Sequence, residues 1–226
     1  PLRPLSAFFG HHKCGTSWVG DILAELCAEL GWSNWAIDNA SPFSAMGLEQ
    51  WSFRNRVDIV SYTNAQIDWV PDRYDLRAFH VIRDPRDVCV SAYFSHRNSH
   101  PTNHWPELHD LRTTLRGIGL AEGLALEIAV LKPVFAAMQA WDYSRPNILE
   151  LRFEELVSNP EQGFLAIAHF LGMLDPDHER VAPRGPYGLQ LMAEKVRRRL
   201  HLPPRTALRP GRLQAIVQRT HLPAQE

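Results

Sequence analysis

The chain predicts an α/β fold, a single domain built on a P-loop-like, mainly parallel β-sheet flanked by helices. Three observations carry this. Apolar runs of strand length alternate with stretches of helical periodicity. The first run passes into a helix through a loop bounded by glycines, Gly10 to Gly15. The chain has 226 residues, 45% of them hydrophobic. A chain of that length buries roughly 70% of its unfolded surface, so it folds without disulfides or metal, and residues 1–226 are expected to form one domain.

The elements follow in order. Leu5 to Gly10 (LSAFFG) is a short apolar run ending in glycine, which predicts a buried strand. From Thr16, Trp18, Ile22, Leu26 and Leu30 recur every four residues while Asp21, Glu25 and Glu29 share another face. That helix stops at Gly31. Asn34 to Asp38, Val57 to Tyr62 and Arg77 to Ile82 read as further strands. Asp84-Pro85 opens a helix, Asp as N-cap and Pro in the first position. His96 to Arg116 is polar, holds Pro101 and Pro106, and reads as a long loop with some helix. Leu120 to Asp142 reads as a helix bent at Pro133, and Asn147 to Phe153 as a strand. Pro160 to Leu171 is a helix ended by Gly172, with Phe164, Ile167, Ala168 and Leu171 inward. Beyond Pro183 the chain is basic and proline-rich, with little structure expected over residues 183–226.

Charge and cysteine content exclude several classes. Lys and Arg number 24 against 25 Asp and Glu, a net charge of −1, so no chain-wide field attracts nucleic acid. Any anion site must be assembled locally. Three cysteines, Cys14, Cys27 and Cys89, do not make a disulfide framework and indicate a reducing compartment, hence a cytoplasmic location. No apolar stretch approaches the ~20 residues of a membrane span, and PLRPLSAFFG lacks the apolar segment of a secretory signal.

Two loops carry the chemistry. In Gly10-His11-His12-Lys13-Cys14-Gly15-Thr16-Ser17-Trp18, a strand feeds a tight turn and then a helix N-terminus. Backbone N–H groups there converge on one spot and bind an anion. Gly15 permits close approach, and Thr16 and Ser17 add hydroxyl donors. The spacing nearly matches an ATP-binding P-loop, yet the lysine, Lys13, precedes Gly15 by two residues instead of following it. Cys14 lies near the helix N-terminus, where a thiol is acidified; it is either a reactive thiol or a small residue suited to a tight loop. The second loop, Arg83-Asp84-Pro85-Arg86-Asp87, ends a presumed parallel strand, and Ser91 lies on the helix that follows. Arg83 and Ser91 could converge on one anion, with a forked contact from the guanidinium, while Asp87 orients a basic side chain or caps backbone donors. Two anion loops at strand ends suit a ligand with two separated phosphates.

The pair of loops resembles the sulfotransferases that use 3′-phosphoadenosine 5′-phosphosulfate (PAPS). HKCGTSW is similar to that family's 5′-phosphosulfate loop, and Val81 to Val88 with Ser91 to its 3′-phosphate motif. LELRFEELVSNPEQGFLAIAHFLG is similar to the family's R-Y-E-D-L segment and the helix after it, so the resemblance runs from residue 8 to 172. It implies that Lys13 contacts the phosphosulfate and stabilises the leaving phosphate, that Cys14, Gly15, Thr16 and Ser17 cradle the 5′-phosphate, and that Trp18 stacks on adenine. Arg83 and Ser91 would bind the 3′-phosphate. Phe153, where many members have Tyr, would give adenine an apolar contact. Arg209-Pro210-Gly211 resembles the late element that also grips the 3′-phosphate. The product would be 3′-phosphoadenosine 5′-phosphate (PAP), the acceptor a small molecule or carbohydrate with a hydroxyl or amine, and no metal is required.

The general base departs from the family pattern. Cytosolic small-molecule members carry Lys-x-His after the third strand, where this chain has Tyr62-Thr63-Asn64. Asp38, at the end of the second strand, suits the carboxylate position of the carbohydrate and tyrosine members, and His11 and His12 border the phosphosulfate loop. His80, within a strand, reads as buried structure. His96, His100, His104 and His109 imitate metal-ligand spacing on a helix, but Pro101 breaks that helix and no carboxylate or cysteine completes the set, so a solvated loop gating the substrate is expected. KVRRR, 195–199, reads as a solvated basic face, and Trp32, Trp35, Trp51 and Trp105 as core. Two rival readings stand beside the transferase: a P-loop kinase or NTPase using ATP-Mg, and a non-catalytic module that binds PAP or another nucleotide.

Overall fold

Strand β1 (Ser6–Gly10), SAFFG, has every residue buried. Such a strand needs partners on both edges and cover on both faces. It pairs in parallel with β3 (Ile59–Tyr62) on one side and β4 (Arg77–Ile82) on the other. β2 (Asn34–Ile37) lies outside β3, and β5 (Ile148–Arg152) outside β4, so the order is β2-β3-β1-β4-β5 with every pairing parallel. The computed structural model describes residues 5–73, 75–103, 105–174, 208 and 210–220.

The helices are α1 (Thr16–Leu30), α2 (Leu48–Arg54), α3 (Pro85–Asn98), α4 (Leu108–Gly117), α5 (Leu120–Val130), α6 (Lys132–Ala140), α7 (Phe153–Ser158), α8 (Pro160–Phe170) and α9 (Pro210–Arg219). Alternate strand residues feed two cores. Phe8, Ile59, Phe79 and Val81 pack with α1 and α8; Phe9, Val60, Tyr62 and Ala78 pack with Phe43, Trp51 and Trp141. The α1 crossover from β1 to β2 covers the first face, and the connection from β4 to β5 closes with Trp141 on the second. The chain thus winds away from the centre in opposite directions over opposite faces. α/β sheets hold ligands at the C-terminal edge of that switch point.

Local signals set most element ends. Gly31 takes φ 64° and closes α1. The Asp84 carboxylate accepts the Arg86 backbone N–H (2.9 Å), with Pro85 in the first turn of α3. Gly172, at φ 69°, follows α8.

Several expectations change. The long loop expected from His96 is shorter, because α3 runs on to Asn98 and α4 begins at Leu108. The expected bend at Pro133 is a break at Leu131, and Pro133 occupies the first turn of the new helix α6. Phe153 is not the end of a strand but the start of α7. Trp35 is exposed, edge-on to Trp51, so it is not core. The basic C-terminal stretch contains a helix, α9, whose Leu213, Ile216 and Val217 complete the first core. Residues 183–207, including KVRRR, and Arg209 lie outside the described residues. No helix among the described residues is long and apolar enough to cross a membrane, and all three cysteines are free and buried.

Candidate active site

Sheet register brings the two anion loops together. Gly10 pairs with Val81, and Ile82 pairs with Arg152. Three adjacent strands therefore deliver the Gly10–Gly15 loop, Arg83 and Phe153 to one edge. The loop turns through Lys13 at φ 64° and Gly15 at φ 77°. α1 then starts with no side-chain cap and no acidic residue in its first turn. Its N-terminal N–H groups and their share of the helix dipole are left to attract an anion.

Arg83 sits beside that helix end. Its Nη1 donates to the Lys13 carbonyl (3.2 Å), and its guanidinium lies 4.8 Å above the Phe153 ring. Its Nε is buried and meets no hydrogen-bond acceptor among the described residues. A buried guanidinium donor without an acceptor is costly in a fold, and an anion bound beside the loop would satisfy it. Lys13 is half-buried. Burial, together with the neighbouring Arg83 charge, lowers its pKa, while the Glu127 charge opposes the shift. Lys13 beside the uncapped N-terminus of α1 suits one phosphate group, and the orphan donor of Arg83 is free for a second.

The remaining cofactor candidates fare differently. Thr16 is half-buried and Ser17 exposed at the opening of α1. Ser91 is half-buried, six residues into the helix that begins beside Arg83. The Cys14 role needs correction. Its backbone N–H is committed to the His11 carbonyl (3.0 Å), and its side chain is buried with Val88, Cys89, Ala92 and Leu131. Burial pushes the thiol pKa up to about 12, which removes the reactive-thiol reading as well. Trp18 is corrected too. It is 4% exposed, edge-on to Phe153 and Phe164, and its indole N–H donates to the Thr220 carbonyl (3.0 Å). It offers adenine no open face. Phe153 is the buried floor of the loop, where a Cβ on Gly15 would come within 2.2 Å of its ring.

Gly211 is placed at the wrong end of α1. Its neighbour Arg212 pairs with Glu29, whereas Arg219 pairs with Glu25 (3.3 Å) and Thr220 meets Trp18. α9 therefore runs antiparallel to α1. Glu29 lies 13 residues beyond Thr16, roughly 20 Å along the helix at 1.5 Å per residue.

The base candidates separate on burial and position. Asp38 is exposed, bonded to Asn39, at the end of the edge strand β2. β3 intervenes between β2 and β1, so two strand spacings, about 10 Å, separate Asp38 from the lysine loop. His11 is 1% exposed and its Nε2 lies 2.9 Å from the Nε2 of His80, so no acceptor reaches it. Burial and His80 push its pKa down to about 3. His12 is half-buried, and burial with His96, His100 and Lys13 pushes its pKa to about 3, a weak base.

The loop histidines instead each end a short hydrogen-bonded chain that starts at a carboxylate. Glu150 bonds His80 Nδ1 (2.6 Å), and His80 meets His11. Trp141 stacks on His80 and donates to the other Glu150 oxygen (2.9 Å). Glu127 bonds His96 Nδ1 through both oxygens (2.9 Å each), and the Nε2 of His96 lies 2.8 Å from that of His12. Sequence spacing shows none of this, since the carboxylates lie 70 residues beyond His80 and 31 beyond His96.

Residues 8–181 match the family described as sulfotransferase domain. No curated protein matches the chain in sequence. Among solved structures, it is similar to mouse sulfotransferase SULT7A1 complexed with PAP, at 14% identity and TM-score 0.42, over 85% of this chain and 64% of that one. A retinol dehydratase in complex with androsterone and inactive cofactor PAP is 17% identical, TM-score 0.48, over 98% of this chain and 65% of that one. A sulfotransferase from Alicyclobacillus acidocaldarius is 17% identical, TM-score 0.39, over 76% of this chain and 82% of that one. The chain thus spans just under two thirds of the length of the first two.

Proposed function

The chain belongs to the sulfotransferase-domain family, and on that premise we propose that it moves a sulfuryl group from PAPS to the hydroxyl or amine of a small-molecule or carbohydrate acceptor. The buried orphan Nε of Arg83, beside Lys13 and an uncapped helix, is the observation that carries this reading. PAPS supplies an activated S–O bond whose leaving group is a phosphate. Lys13 holds positive charge where the 5′-phosphate gains negative charge, and the first N–H groups of α1, with Thr16 and Ser17, hold that phosphate in line. Arg83 with Ser91 takes the 3′-phosphate by charge-assisted contacts. Phe153 supports Arg83 from below. The free, buried cysteines suit a reducing, cytoplasmic setting.

Calorimetric titration with PAP and with ATP-Mg tests the site. Wild type is expected to bind PAP and ignore ATP-Mg. A charge-assisted hydrogen bond is worth about 1.5–3 kcal/mol, so Arg83→Ala is expected to weaken PAP by about 10- to 100-fold. Binding of ATP-Mg but not PAP would replace this reading with a divergent P-loop kinase or NTPase. PAP binding without PAPS consumption across an acceptor screen would leave a nucleotide-binding module.

A further inference from the structure

Three histidines from three segments converge beside the lysine loop. His12 belongs to the loop itself, His96 to the last turns of α3, and His100 to the segment after that helix. One ring nitrogen from each lies within 4.8 Å of the others. Trp105 borders the cluster, its ring edge-on to all three imidazoles. We propose that His12, His96 and His100 form a binding site for a divalent zinc-class metal ion, which ties the loop carrying Lys13 to the end of α3.

The chemistry of the donor set supports this. Imidazole suits zinc and its neighbours in the first transition row, and three histidines with one further position are a recurring zinc arrangement. Glu127 supplies the second half of such a site. It is 0% exposed, as is His96, and its carboxylate grips His96 Nδ1 with both oxygens. A carboxylate accepts only, so Nδ1 carries the proton and Nε2 presents its lone pair toward His12 and His100. A carboxylate behind a histidine is the usual outer-shell partner of a ligating imidazole. The Glu127 charge also offsets the cost of placing a divalent ion near the Lys13 ammonium, to which it is electrostatically coupled. The neighbouring chain, Glu150–His80–His11, shows the contrast. It has the same carboxylate and pair of imidazoles, yet no third ligating side chain among the described residues joins them in one group. Among the described residues only the His12 set forms such a group. Three protein ligands leave the fourth position to water or another oxygen donor.

The test uses the full chain stripped with chelator and titrated with Co(II), then Zn(II). The expected result is one Co(II) per chain with the visible ligand-field bands of a low-coordinate nitrogen-rich site, displaced by Zn(II). Glu127→Gln is expected to weaken Co(II) binding about 10- to 100-fold, with a matching loss of metal-induced thermal stabilisation. His100→Ala removes a half-buried ligand at little risk to folding and is expected to abolish the bands. PAP affinity measured on the same samples keeps the two readings apart. No chain-stoichiometric cobalt in protein that binds PAP normally overturns the metal site and leaves His12 and His96 as a hydrogen-bonded pair. Bands that survive His100→Ala also overturn it. Metal binding without PAP binding would fault the transferase reading alone.

Discussion

Lys13→Ala is expected to cut turnover by about two to three orders of magnitude, with a loss of PAP affinity of about tenfold and an unchanged fold. Catalysis depends on interactions stronger in the transition state than in the ground state. In the proposed transfer, charge moves onto the phosphate next to Lys13 as the S–O bond breaks, so its ammonium counts most there. The fold has little to lose. The side chain of Lys13 has no hydrogen-bond or ion-pair partner among the described residues, and it is the backbone carbonyl that receives Arg83. The left-handed φ of 64° strains alanine and lysine alike. Burial already disfavours the ammonium, and removing it relieves that cost. Steady-state PAPS consumption, set against urea midpoints, checks both halves. Near-normal turnover would end the role assigned to Lys13, and an early unfolding midpoint would make the residue structural instead.

Gly15→Ala carries the largest expected cost to stability. Two effects act together. At φ 77° a Cβ costs roughly 1–2 kcal/mol. The added carbon would also sit 2.2 and 2.5 Å from two carbons of the Phe153 ring, and overpacking of a closed core costs about 1–3 kcal/mol. The sum, about 2–5 kcal/mol, is a large part of the 5–15 kcal/mol that holds a domain together. Phe153 cannot move aside freely, because Arg83 lies over it and Trp18 abuts its edge. Adding Phe153→Leu to Gly15→Ala should recover the packing part and leave the backbone part, which a double-mutant cycle from urea unfolding resolves. An unchanged midpoint for the single variant would mean that the loop takes another conformation. PAP affinity should fall with stability, since the same displacement tilts the amides that open α1.

The two loops were legible because their signals are local. Strand length, the glycines at 10, 15 and 31, and the Asp84-Pro85 cap each act within a few residues, and β1, α1, β4 and α3 fall where those signals put them. Lys13 preceding Gly15 sets the loop apart from the ATP-binding spacing on sequence alone. The errors share a different origin. Trp18 reads as a platform for a base until α8 and the end of α9 enclose it. Gly211 reads as a phosphate grip until the antiparallel packing of α9 carries it to the far end of α1. Among the four spaced histidines, His96 is buried, His100 half-buried and His109 exposed, while His104 lies outside the described residues. The missing carboxylate for that set is Glu127, on α5. By itself, then, the sequence determined the two strand-end loops and the parallel sheet that bears them, because backbone conformation and hydrophobic period are short-range. Only the tertiary structure decided which side chains gather beside the first loop, which are sealed in the core, and which carboxylate stands behind which histidine, because those depend on packing between segments tens of residues apart.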